Sequence, residues 1–107
     1  MFEIPAGQSE PVIDTRTIAQ DATASLAKVI INGTNQRVIN HLSEMRYFVL
    51  EGEGQMEVDG VIHSLRPGVE VVVPAGTAYQ DRGRMALLAY AVPPFNQSSV
   101  EVVSAQS

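Results

Sequence analysis

Tyr47-Phe48-Val49-Leu50-Glu51-Gly52-Glu53-Gly54, then Val58-Asp59-Gly60, then Leu65-Arg66-Pro67-Gly68, then Val73-Pro74-Ala75-Gly76-Thr77 form a series of apolar runs, each ending at turn chemistry. Asp59-Gly60 separates Gln55–Val58 from Val61–Leu65, and an Asp-Gly pair between alternating runs is the strongest short hairpin signal. Arg66-Pro67-Gly68 and Pro74-Ala75-Gly76 combine a proline that presets φ with a glycine that accepts a turn conformation.

Outward from this stretch the pattern stays β. Upstream, Arg37–Leu42 alternates, Leu26–Ile31 is rich in β-branched residues and stops at Asn32-Gly33, and Thr15–Ile18 suits a short edge strand. The run Arg46–Leu50 ends at Gly52 and Gly54. Downstream come Val69–Val73, Tyr79–Asp81 and Met85–Val92, which Pro93-Pro94 terminates, and a last short run at Val100–Val103. That is about eight or nine short strands at roughly 8–12-residue intervals with no sustained helical period, which predicts an all-β sandwich or barrel.

The 107 residues suit one domain: residues 1–24 as an N-terminal arm or edge strand, 25–95 as the barrel core and 96–107 as a C-terminal tail. With 45% hydrophobic and 18% charged residues the composition is that of a folded chain. A net charge of −5 repels polyanions, so no nucleic-acid role is expected. Met1-Phe2-Glu3-Ile4-Pro5 lacks the basic start and apolar run of a secretory leader, and no apolar stretch approaches the roughly 18 residues of a membrane span. A cytoplasmic protein with no membrane partner is the expectation. With no cysteine, disulfides and thiolate metal sites are excluded.

Over residues 37–94 the order and spacing of these turns resemble the single-domain cupins, small double-stranded β-helix (jelly-roll) barrels. The resemblance implies two motifs whose three histidines and one glutamate hold a divalent metal at the barrel centre. Counted back from Gly52, the glutamate position falls on Met45, the second histidine on His41 and the first on Ile39. In the second motif Gly68, Pro74 and Gly76 match, but the third histidine position is Tyr79 and the asparagine position is Gly83. One ligand of four, His41, remains. A thioether, an aliphatic chain and a phenol do not replace imidazoles and a carboxylate. Glu44, brought inward by a bulge, makes two ligands, still short of a site, and the only other histidine is His63. No metal and no cofactor is therefore expected, with an unorthodox set of His41, Glu44 and His63 as the alternative.

Strand alternation then proposes a pocket lining. If His41 points inward, so do Ile39 and Arg37; if Met45 does, so does Tyr47; if Tyr79 does, so does Asp81. The result is a mostly apolar cavity with polar handles, as small-molecule sites commonly are. The leading expectation is a metal-independent binder of a small organic molecule, with His41 and Tyr79 as an acid–base pair and Arg37, Ile39, Met45, Tyr47 and Asp81 as ligand contacts. Metal-independent cupin sugar epimerases are similar in using a histidine and a tyrosine in the barrel. A metal-dependent dioxygenase or isomerase and a non-catalytic structural domain are the rivals. Met85–Val92 is apolar on both faces, so a second copy of the chain is expected to cover its outer side in a homodimer.

Overall fold

A computed structural model describes residues 13–103. Its strands are β1 (Ile13–Gln20), β2 (Ser25–Thr34), β3 (Val38–Asn40), β4 (Glu44–Val58), β5 (Val61–Leu65), β6 (Glu70–Val73), β7 (Ala78–Val92) and β8 (Val100–Val102), with one 3₁₀ turn, Gln97–Ser99, before β8. All are antiparallel and belong to one curled sheet. Its path runs β1-β2-β7-β3-β8, and β4 joins β7 and carries β5 and β6. Among the described residues no helix is long and apolar enough to cross a membrane.

The expected Asp59-Gly60 hairpin forms. Asp59 (φ 50°) and Gly60 (φ 82°) both take positive φ, and the turn joins Val58 to Val61 in register. Three other expected breaks are absent. β2 continues through Asn32-Gly33, β4 is one strand across Gly52 and Gly54, and β7 joins the two runs predicted on either side of Gly83. Gly52, Gly54 and Gly83 mark close approach of strands. A Cβ on Gly52 would lie 2.1 Å from the Arg84 carbonyl oxygen, and one on Gly83 would lie 2.5 Å from that of Glu53. Their φ values, +85° and +134°, add a conformational demand that other residues meet only with strain.

A bulge between Val49 and Glu51 resets the alternation of β4. Met45, Tyr47 and Val49 face inward before it; Met56 and Val58 face inward after it. With Ile31, Leu65, Val73 and Leu87 they form the core. Burying one such side chain contributes roughly 1.5–3 kcal/mol, and the apolar positions of period two in β2, β4 and β7 supply enough of them to hold the sheet curled.

Candidate functional site

The inner faces of β1, β2, β7, β3 and β8 enclose a cavity of ≈ 320 Å³. Val29, Val38, Met45, Ala89 and Ala91 give it an apolar wall. Thr15 and Thr17 of β1, and Phe95, Gln97, Val100 and Val102 from the C-terminal segment, complete it. β1 and the segment from Phe95 to Val102 are thus walls of the cavity. Their period-two alternation, Ile13/Thr15/Thr17 and Val100/Val102, was the available signal for it.

Ten of the twenty lining residues are polar, and among them Tyr47, Tyr79 and Asp81 are the ionisable ones. Tyr47 from β4 and Tyr79 from β7 meet with hydroxyl oxygens 2.8 Å apart, their rings tilted at 50° with centroids 5.8 Å apart. Asp81, two residues beyond Tyr79 on the same face, is 3% exposed. Burial pushes its carboxyl above the ordinary range, and a hydrogen bond from the Asn35 side chain offsets part of that. The loop at Asn35 is held by its backbone N–H donating to the Asp81 carbonyl at 2.9 Å and by the Gln80 amide donating to the Asn35 carbonyl at 2.9 Å. Burial raises both phenols, most strongly Tyr47, where proximity to Tyr79 adds to it. Both tyrosines are therefore neutral hydrogen-bonding groups near neutral pH.

Of the residues proposed from the sequence, Met45, Tyr47, Tyr79 and Asp81 are brought together. Arg37, Ile39 and His41 are not among the cavity-lining residues. Arg37 grips Glu57 bidentately at 3.0 and 3.1 Å, which holds the Glu57 carboxyl below its usual range. The His41 imidazole is exposed and bonds Glu101 at 2.7 Å. The expected facing pair of His41 and Tyr79 therefore does not form.

The reason is local. The Asn40 side-chain oxygen accepts from the backbone N–H groups of Leu42 (3.0 Å) and Ser43 (2.8 Å). This Asx turn ends the strand two residues earlier than expected and turns His41 and Leu42 outward. On β3, Val38 and Asn40 face inward instead, a one-residue shift that exchanges every side chain between faces. Asn40 is a legible Asx-turn residue, but its place inside the run Arg37–Leu42, read as one strand, hid the signal.

The metal site implied by the cupin resemblance does not fit these side chains. Met45 offers a thioether and Tyr79 a neutral phenol bonded to Tyr47, while Glu44 pairs with Arg46 at 3.0 Å and His63 is exposed on β5. Among the described residues no three His, Asp or Glu side chains converge. The acid–base chemistry available in the cavity is that of two phenols and one carboxyl, beside neutral amides and hydroxyls.

No family sequence model and no curated relative matches the chain. Solved structures do. A variant of Streptomyces PAC13 with uridine superposes with a TM-score of 0.82 at 22% identity, over 91% of this chain and 82% of that one. Pac13 is described as a nucleoside dehydratase. KdgF from Halomonas sp. gives 0.74 at 18% identity, over 85% and 86%. An RmlC-like cupin from Shewanella frigidimarina gives 0.71 at 20%, over 81% and 80%. The agreement at these identities is one of fold: the chain has the cupin double-stranded β-helix.

Proposed function

We propose that this cupin barrel binds a small organic molecule in its cavity without a metal, with Tyr47, Tyr79 and Asp81 as its polar contacts. The observation that carries the reading is the Tyr47–Tyr79 hydroxyl pair at 2.8 Å beside a buried Asp81 in a ≈ 320 Å³ pocket of mixed apolar and neutral polar lining. Convergent polar groups with raised pKa values in a cavity are a general mark of ligand sites. The volume lies near the lower end of the roughly 300–1,000 Å³ range of such sites.

The same groups support proton transfer. Asp81 holds protons more tightly than an ordinary carboxylate and serves as the base. Tyr79 is kept neutral and serves as the donor, and Tyr47 fixes the direction of its hydroxyl. His41 has no part in this reading.

The Streptomyces neighbour with uridine supplies the first probe. Uridine, together with a panel of uncharged metabolites, is expected to raise Tm and to move the backbone amide resonances of Tyr79 and Asp81, since a ligand at about 100 times its Kd adds about 2.7 kcal/mol of stability. If no compound does either, the barrel is not a small-molecule site.

We also propose that the outer face of β2, β7, β4 and β6 meets a second copy. Two registered rows cross it, Leu26-Tyr90-Arg46-Val72 and Lys28-Leu88-Phe48-Glu70. Phe48, Val72 and Tyr90 are about two-fifths exposed (41%, 43% and 43%). A twofold axis along the strands between β7 and β4 sets Leu88 on the partner's Phe48, Lys28 against the partner's Glu70 and Tyr90 under the partner's Arg46. Self-complementary apolar, ionic and cation–π pairs are what a twofold interface requires.

A further inference from the structure

The chain has seven lysines and arginines and two histidines, all within the described residues, and none of them is among the cavity-lining residues. Each is accounted for elsewhere. Arg37 is bound to Glu57, Arg46 to Glu44, Arg82 to Gln55 and His41 to Glu101. Arg16, Lys28, Arg66, Arg84 and His63 are exposed. Residues 1–12 and 104–107 contain no Lys, Arg or His, so no basic side chain from them adds to the wall.

Asp81 is the one charge-bearing side chain on the wall besides the two phenols. An anion entering this cavity leaves its hydration shell and meets neutral donors but no cation, so the lost hydration of a phosphate or carboxylate is only partly replaced. It also meets the Asp81 carboxylate at short range and low dielectric. A neutral molecule loses far less hydration, and its N–H or O–H groups find acceptors in Asp81 and in the paired phenols. A protonated amine is favoured by the same carboxylate.

We infer that the cavity is a charge filter: its ligand is an uncharged or cationic molecule that presents N–H or O–H donors to Asp81, and the phosphorylated or carboxylated forms of such a molecule are turned away. This rests on the proposal that the cavity binds small molecules. Its consequence is that any step adding a phosphate or carboxylate to the ligand removes it from this protein's reach.

The test compares matched probes on ¹⁵N-labelled protein, followed through the amides of Tyr47, Tyr79 and Asp81. The probes are benzyl alcohol, benzylamine and benzoate, with uridine and uridine 5′-phosphate as a second set. The uncharged or cationic member of each set is expected to bind at least about tenfold more tightly than its anionic counterpart. In Asp81→Asn, a change of nearly identical shape, the anion is expected to gain about tenfold or more. Anions binding the wild-type cavity as tightly as their neutral counterparts overturn the filter and leave the small-molecule reading standing. No gain for anions in Asp81→Asn overturns the role given to Asp81. If no probe moves these amides, the small-molecule reading falls and the filter with it.

Discussion

The hydroxyl oxygens of Tyr47 and Tyr79 lie 2.8 Å apart across the barrel, though 32 residues separate them in the chain. They come from β4 and β7, and each is almost wholly removed from water, at 6% exposed. A hydroxyl in that position needs its partner, because an unpaired buried donor costs more than a satisfied pair contributes. This asymmetry makes the pair measurable.

Tyr47→Phe or Tyr79→Phe alone is expected to destabilise by about 1–2 kcal/mol, since the surviving hydroxyl loses its partner. The double substitution is expected to cost less than the sum of the two, because neither orphan remains. Urea unfolding of the four proteins checks this; additive losses would mean that the two hydroxyls are uncoupled.

Asp81 sets a pH dependence of definite sign. Its folded-state pKa is raised above the unfolded value, so the native state binds more protons between the two. Stability therefore falls as pH rises from about 4 through the raised pKa, and is constant above it. Asp81→Asn removes this fall. The stability of the variant relative to wild type is expected to grow across that window and then level off. Asp21 and Glu57, whose carboxyls are held low by hydrogen bonds, give the opposite slope in both proteins and cancel in the difference. Denaturation at a series of pH values reads it, and a difference independent of pH contradicts it.

At the alkaline end, Tyr47 and Tyr79 ionise above the ordinary phenol range. Their tyrosinate absorbance is expected to appear only as the fold is lost, because the native state favours the neutral phenols and is destabilised as pH rises past about 10. In Tyr47→Phe/Tyr79→Phe the late component should vanish.

Gly52→Ala is expected to cost at least about 1–3 kcal/mol from its backbone conformation alone, before the collision with the Arg84 carbonyl 2.1 Å from the new Cβ. Gly60→Ala, with φ +82° and no atom within 4 Å of its Cβ, carries only the conformational part. Thermal unfolding should rank Gly52→Ala well below Gly60→Ala. Equal losses would show that strand contact at Gly52 is not limiting.

Phe48→Glu is expected to lower the sedimentation coefficient from dimer to monomer, while His41→Ala, at an exposed contact with Glu101 outside the proposed interface rows, should change neither assembly nor uridine binding. A wild-type chain that sediments as a monomer at 100 μM or so would dismiss the proposed twofold face.

Local chemistry in the chain carried much of this. Asp59-Gly60 makes its hairpin, Pro67-Gly68 and Pro74–Gly76 make turns, and two-residue alternation aims Met45 with Tyr47, and Tyr79 with Asp81, into one cavity. Each of these depends on neighbours a few residues apart, which is why a sequence states them. What moved was phase and continuity. The Asx turn at Asn40 exchanged the faces around His41, and the bulge after Val49 carried β4 through glycines that look like strand ends. Only the folded sheet decided that Gly52 and Gly83 are crossings, that β1 and β8 close the wall, and that two distant tyrosines share a hydrogen bond. Those relations join strands far apart in the chain, and no local period or turn signal encodes which backbone will arrive on the other side.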